Sequence, residues 1–325
     1  MTALVESSGR QSTAPLDERQ REAVEAYCRI AAAAGGLLSL EDLVDLLAIE
    51  ATAEEVERRV ASDDWLASKV FVESGHVFVR QPGSAPSRAV EAILEEGRRR
   101  QRAVANLERA RTFAGPLRRG AVFVAVAGTN SYLSAAEDDD IDLYCITKTN
   151  GMWAFMLKSF ILARIYSFTR KPDTPFCFSF IMDENWARDE LSRPQDALFA
   201  RDSLTAKVIS EADSYYPILE RASWMKSYFP SLYDRKMKEA GSRKRADQHA
   251  DKGSRILNLW LFLTLGSFVS LRAWARNRKL AKDGRPDDLF RTNIGPGHLE
   301  FVSRKYLELG RMYSGLRSGG RNPAD

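Results

Sequence analysis

The chain has 325 residues, which is enough for two or three domains with buried cores. Apolar residues make up 44% and charged residues 28%, and the formal net charge is only +4. These values are typical of a soluble globular protein, and they exclude nucleic-acid binding driven by bulk charge alone.

Cysteines and histidines exclude two further classes of protein. The three cysteines are odd in number and widely spaced in apolar surroundings, which fits neither a disulfide framework nor a zinc site. The three histidines share no short spacing, which also argues against a zinc site. The cysteine pattern predicts a protein of the reducing cytoplasm. The N-terminus lacks the basic and apolar segments of a signal peptide. The apolar run Ile256 to Leu271 is shorter than the roughly 20 residues that span a bilayer, which predicts a buried core helix and no membrane partner.

The N-terminal third is predicted to form one small domain and a connector. Residues 1–15 read as a disordered tail, and residues 16–82 as three helices followed by a hairpin with its turn at Ser74-Gly75, the order of a winged helix. The third of these helices is net acidic, which favours a structural or partner-docking module over a DNA-reading one. Residues 83–116 form a predicted connector helix. Eight Arg against one Glu lie between residues 98 and 119, which indicates either a solvated helix face or a surface that contacts phosphates.

The middle of the chain carries the candidate site. An apolar strand, Val122 to Ala127, stops at Gly128, where backbone amides can approach an anion closely. A second strand begins near Asp140 and Asp142, which project to the same side because strands alternate with period two. Paired carboxylates favour Mg²⁺, which binds through one or two carboxylates together with substrate phosphates.

The remaining elements are predicted to support this unit. Met152 to Thr169 reads as a covering helix, and Pro175 to Met182 as a third strand with Phe176, Phe178 and Phe180 on one face. Residues 198–315 read as entirely helical, including one helix over residues 198–212 and another over residues 298–315, and residues 316–325 read as a second disordered tail.

The turn and the acidic pair together resemble a known family. Gly128-Thr129, ten further residues and Asp140-Ile141-Asp142 between apolar strands are similar to the signature of the DNA polymerase beta-like nucleotidyltransferase superfamily. Residues 182–185 (Met-Asp-Glu-Asn) and 224–230 (WMKSYFP) extend the resemblance to a prokaryotic subgroup, without an assigned reaction, that carries an N-terminal winged-helix-like region. The resemblance implies an α+β fold: a small mixed-sheet core over residues 117–197, between the winged-helix-like domain and an all-helical C-terminal region.

The resemblance also implies roles for individual residues. Gly128 and Thr129 would hold nucleotide phosphates with help from Ser131, and Asp140 and Asp142 would bind Mg²⁺. Active members of the superfamily place a third carboxylate in the next strand. The corresponding position here is Ser179, and Asp183, about 13 Å further along a strand, is the candidate for that role.

Two functions follow as hypotheses. The first is a Mg²⁺-dependent nucleotidyltransferase that moves a nucleoside monophosphate from a nucleoside triphosphate to a hydroxyl or phosphate acceptor. The second is a catalytically degenerate nucleotide-binding regulator or toxin-antitoxin component that contacts nucleic acid through the winged-helix region. The missing third carboxylate favours the second hypothesis. DNA-binding regulation alone is a third reading of the same sequence.

Overall fold

The computed structural model describes residues 15–315 except 34, 48, 50, 81–85, 171–174, 211–214 and 242–252. Both predicted tails, residues 1–15 and 316–325, lie almost wholly outside the described residues, as do residues 242–252 of the region predicted to be helical. The fold is mixed α+β, as predicted, and it divides into two compact units, Met1–Ile93 and Leu94–Asp325.

The first unit contains short helices and a small antiparallel sheet. Its elements are α1 (Glu18–Ala33), β1 (Leu38–Ser39), α2 (Leu40–Leu47), α3 (Ala53–Ser62), α4 (Asp64–Lys69), β2 (Val70–Glu73) and β3 (His76–Val79). The strand order is β1-β3-β2. Ser74 and Gly75 both have positive φ, as a tight hairpin turn requires, and this turn is confirmed. The sequence did not predict β1 or α4.

Helix starts in this unit follow from their capping residues. The Thr52 hydroxyl accepts a hydrogen bond from the Glu55 amide, and the Glu55 carboxylate accepts one from the Thr52 amide, which together form a capping box at the start of α3. At the start of α2, the Ser39 hydroxyl accepts from the Asp42 amide and donates to the Asp42 carboxylate. These side chains supply partners for amides that the first helical turn leaves free.

The connector helix α5 (Pro86–Ala114) crosses the division between the units and leads into the second. There follow β4 (Ala121–Val126), α6 (Gly128–Ser131), β5 (Ile141–Thr147), α7 (Met152–Arg170), β6 (Phe176–Asp183), α8 (Glu184–Ser192), α9 (Ala197–Thr205), β7 (Lys207–Ser210), α10 (Tyr215–Arg221), α11 (Pro230–Gly241), α12 (Arg255–Leu261), α13 (Ser267–Lys282), β8 (Phe290–Gly295), β9 (His298–Ser303) and α14 (Arg304–Gly315).

The six strands β4 to β9 form one mixed sheet, against which helices of this unit pack. Its order is β7-β4-β5-β6-β9-β8, with β5 and β6 parallel and every other pair antiparallel. The prediction of an all-helical region from residue 198 onward is therefore wrong, because β7 pairs with β4, and β9 pairs with both β6 and β8. Pairing with strands that are distant in the chain decides the conformation of these short segments.

The two faces of the sheet pack against different helices. Ile141, Leu143 and Cys145 of β5 face a core that includes Phe113 of α5 and Trp153 of α7. On the opposite face, Phe123 stacks on Tyr215 of α10, and Tyr144 contacts both rings. Asp142 and Tyr144 share this second face because strand residues alternate.

A bulge in β6 changes which face its aromatic residues meet. Asp142 is opposite Cys177 but Tyr144 is opposite Phe180, so β6 has one extra residue there. Phe178 consequently contacts Phe113, whereas Phe180 contacts Tyr144 on the other face. The prediction that Phe176, Phe178 and Phe180 share one face is wrong for Phe180.

Residues 255–282 form one continuous helical run, in which a π-helical turn (Phe262–Gly266) joins α12 to α13. By length and composition alone this run could cross a membrane, and only 28% of its most apolar window is buried inside the protein. Leu261 and Val269 belong to the core, but Ile256 is 83% exposed and Trp260 60% exposed. The prediction of a buried core helix therefore holds for one side of the helix only.

Candidate metal and nucleotide site

The turn after β4 places Gly128 directly against Asp142. Gly128 has φ +62°, and a Cβ added to it would lie 2.9 Å from Oδ2 of Asp142. The Ala127 amide also donates to the Asp142 carbonyl at 3.0 Å. Glycine is needed here for both its left-handed conformation and its missing side chain.

Gly128→Ala is expected to lower the free energy of unfolding by about 1–3 kcal/mol, because alanine is strained at positive φ and its methyl group would displace the Asp142 carboxylate. Chemical denaturation measures the change. Gly97→Ala is the control: this exposed glycine lies within α5 with nothing near its added Cβ, so alanine should stabilise by about 0.5–1 kcal/mol. Equal effects at the two positions would contradict the close packing on Asp142.

Three potential metal ligands converge beside this turn. The ligand atoms of Asp140, Asp142 and Cys177 all lie within 4.8 Å of one another. Cys177 is opposite Asp142 across the parallel β5–β6 pair. The structure thus brings the two predicted carboxylates together and adds a thiol that the sequence did not indicate.

The chemistry of this donor set favours a hard cation held by the carboxylates. Burial raises the pKa of the Cys177 thiol, and the nearby charges of Asp142 and Asp140 raise it further. The protonated thiol donates a hydrogen bond to Asp140, and Ser179 donates one to Asp142. Cys177 therefore acts as a hydrogen-bond donor, while the carboxylate oxygens are the ligands that Mg²⁺ prefers.

The carboxylate pair is electrostatically unfavourable when it is fully ionised. Burial, and then the charge of Asp140, raise the pKa of Asp142 to about 7. Burial also raises the pKa of Asp140, an effect that the Cys177 hydrogen bond and the charge of Arg276 on α13 partly offset. A divalent cation would remove this repulsion by supplying the missing positive charge.

Hydrogen bonds within the connecting loop fix the position of Asp140. Asn130 is fully buried, and its side-chain amide donates to the Asp140 carbonyl at 2.9 Å and accepts from Asn106 at 2.9 Å. These two hydrogen bonds give the buried Asn130 side chain a structural role in the loop. Thr129 donates to Asp139 at 2.8 Å, and Ser131 donates to the Gly128 carbonyl at 2.8 Å. Both predicted phosphate-binding hydroxyls therefore hold the loop in this structure.

Asp183 lies apart from the acidic pair. It is opposite Thr147, five residues along β5 from Asp142, which corresponds to about 16 Å. Its carboxylate caps α8 by accepting from the Trp186 amide at 3.0 Å, and it also accepts from the Asn150 amide. The structure does not bring Asp183 to the site, and Ser179 occupies the position beside Asp142.

Two further charged residues near the site come from remote parts of the chain. Arg276 lowers the pKa of Asp140, and Asp202 of α9 raises that of Asp142. The Asp202 carboxylate accepts a hydrogen bond from the hydroxyl of Tyr132, the residue that follows the short helix α6. Burial raises the pKa of Asp202 to about 6. No local motif marked either residue, because helix packing alone places them here.

The chain has no significant match among protein-family models, curated proteins or solved structures.

Proposed function

We propose that the chain is a Mg²⁺-dependent nucleotidyltransferase that moves a nucleoside monophosphate from a nucleoside triphosphate to a hydroxyl or phosphate acceptor. The observation that carries this proposal is the convergence of the Asp140 and Asp142 carboxylates against a side-chain-free turn at Gly128. A metal site next to a half-buried glycine turn is a minimal arrangement for neutralising and orienting a triphosphate.

In this proposal, β4, β5 and β6 with α6 and α7 are a nucleotidyltransferase core, and the first unit is a winged-helix-like domain. Asp140 and Asp142 would hold Mg²⁺, which when bound would neutralise phosphate charge. Backbone amides after Gly128 would contact phosphate oxygens, and Arg276 would add a positive charge near the same carboxylates. Cys177 and Ser179 would orient the carboxylates through their hydrogen bonds. The protein would act in the cytoplasm.

A thermal-shift titration tests this proposal. Nucleoside triphosphate with Mg²⁺ at about 100 times its dissociation constant should stabilise the wild type by about 2.7 kcal/mol. The double variant Asp140→Asn, Asp142→Asn should show no such stabilisation. Asp183→Asn is the matched control, because it removes one carboxylate, keeps a capping side chain and lies away from the pair. Equal stabilisation of the double variant would place the site elsewhere.

The second candidate function is a nucleotide-binding regulator without transfer activity, or a toxin-antitoxin component that contacts nucleic acid through the first unit. One observation favours it: Ser179 lies where active members of the superfamily have an acid, and Asp183 is engaged as a helix cap. Labelled transfer from a nucleoside triphosphate to protein, RNA and small hydroxyl acceptors separates the two. Triphosphate binding without transfer to any acceptor would support the regulator.

A further inference from the structure

Two helices on one side of the large sheet carry apolar side chains on their outer surfaces. On α7 the exposed residues are Leu157, Ile161, Ile165 and Phe168. On the run of residues 255–282 a stripe of exposed residues comprises Ile256, Trp260, Leu263, Leu271 and Trp274, and Leu257, Leu259 and Phe268 are exposed beside it. We call the four residues of α7 and the five of this stripe the outer face. Single exposed apolar residues are common on soluble proteins, but an aligned set on neighbouring helices marks an interaction surface.

The outer face is continuous because of how the two helices pack. Within each helix its residues recur three, four or seven to eight positions apart, so they form one stripe. The opposite stripes face the core, through Trp153 and Met156 on α7 and Leu261 and Val269 on the longer run. Trp153 also joins the two helices, since its amide donates to the Asn258 side chain at 3.0 Å and its ring packs on Phe262. Both outer stripes therefore point away from the same face of the sheet.

The charge of the two helices has one sign. Neither α7 nor the run 255–282 contains Asp or Glu. Basic residues number three on α7 (Lys158, Arg164 and Arg170) and six on the longer run (Arg255, Arg272, Arg276, Arg278, Lys279 and Lys282). Helices that combine an exposed apolar stripe containing tryptophan with basic and no acidic residues have the composition of helices that lie in a membrane interface.

Charge and shape argue against other occupants. A second copy of the chain would bring the basic residues of two identical surfaces together with no acidic partner on these helices, which is unfavourable. Nucleic acid would meet the basic residues but would leave the aliphatic side chains of Ile161, Ile165 and Leu263 without apolar partners. A membrane crossing would place two polar residues in hydrocarbon: Asn258, whose side chain donates to the Pro296 carbonyl, and the charged Arg276, which lies over the Phe290 ring.

We propose that the outer face docks the protein on an anionic membrane surface, with the apolar stripes entering the headgroup region and the basic residues contacting lipid phosphates and carboxylates. Hydrophobic burial and charge attraction act together in this mode of binding. It differs from the sequence-based expectation of no membrane partner, which treated residues 256–271 as buried.

Vesicle sedimentation of the full chain, without nucleotide or metal, tests the proposal independently of any transferase activity. The wild type should bind vesicles of equal phosphatidylcholine and phosphatidylserine at least about tenfold more tightly than phosphatidylcholine alone. The triple variant Trp260→Ser, Leu263→Ser, Trp274→Ser should lose about tenfold or more of that binding. Replacing Arg278, Lys279 and Lys282 by Gln should remove most of the preference for anionic vesicles, and added salt should do the same.

The matched control is Trp65→Ser with Leu307→Ser, two similarly exposed apolar residues outside the outer face, which should leave vesicle binding unchanged. Circular dichroism and thermal melting confirm that each variant is folded. Wild-type protein that binds neither vesicle would overturn the proposal, as would a triple variant that binds like the wild type. So would a wild-type dimer that the triple variant converts to a monomer, or RNA binding that depends on the same basic residues without any vesicle binding.

Discussion

Asp142→Asn is expected to raise the free energy of unfolding of the metal-free protein by about 2–3 kcal/mol at pH 8, and to abolish Mg²⁺-dependent binding of nucleoside triphosphate. Both results have one cause. Burial and the Asp140 charge raise the pKa of Asp142 to about 7, so at pH 8 the folded protein carries an unfavourable negative charge that a neutral amide removes. The same amide is a poor ligand for the cation that would otherwise offset that charge.

The sign of the pH dependence follows from the two pKa values. An acid with a raised pKa in the folded state favours folding while it is protonated. That stabilisation is fully present below pH 4 and is lost as the pH rises to about 7. The stability difference between Asp142→Asn and wild type should therefore be large at pH 8 and vanish near pH 4.

Urea denaturation with a chelator present, at both pH values, measures this difference. Asp138→Asn is the control, because Asp138 is an exposed residue of the same loop and its replacement should change stability by less than about 0.5 kcal/mol at either pH. If Asp142→Asn destabilised the metal-free protein at pH 8, the carboxylate pair would not be under electrostatic strain.

Trp153→Ala is expected to lower the free energy of unfolding by about 3–5 kcal/mol. Its side chain is fully buried, and its indole N–H donates to the Gly295 carbonyl at 3.1 Å. A Cβ added to Gly266 would lie 3.2 Å from the same ring, so the π-helical turn fits closely around it. The substitution would remove the contacts that the Trp153 ring makes with the π-helical turn of the long run and with Gly295 of β8.

Denaturation of Trp260→Ala provides the comparison, since this tryptophan lies on the same helical run but is 60% exposed. It should cost less than about 1 kcal/mol. Similar losses for the two tryptophans would mean that the long helix packs in a different orientation, and the outer face would then have to be redefined.

The core strands and the acidic pair could be predicted because their signals are local. The apolar run ending at Gly128 and the alternation around Asp140 and Asp142 lie within one short stretch, and both carboxylates do converge. By contrast, Val208 and Ile209 follow directly on α9 and were assigned to that helix. They form a strand because β4 offers a free edge, which no local pattern reveals.

One missed element did have a local signal. Gly295-Pro296-Gly297 separates two short segments that pair as the β8–β9 hairpin, and such a turn between alternating residues is typical of a hairpin. The sequence could not place Asp202 or Arg276, because α9 and α13 reach the site only through packing. Hydropathy also could not distinguish the core-facing side of residues 255–282 from the exposed one, since both sides are apolar.

The most direct test of the central claim is to locate the metal. Crystals grown with Mn²⁺ and a non-hydrolysable nucleoside triphosphate analogue should show an anomalous difference peak about 2.0–2.3 Å from carboxylate oxygens of both Asp140 and Asp142, with the phosphates against the backbone that follows Gly128. A manganese peak coordinated by other residues, or an analogue bound away from this turn, would contradict the account.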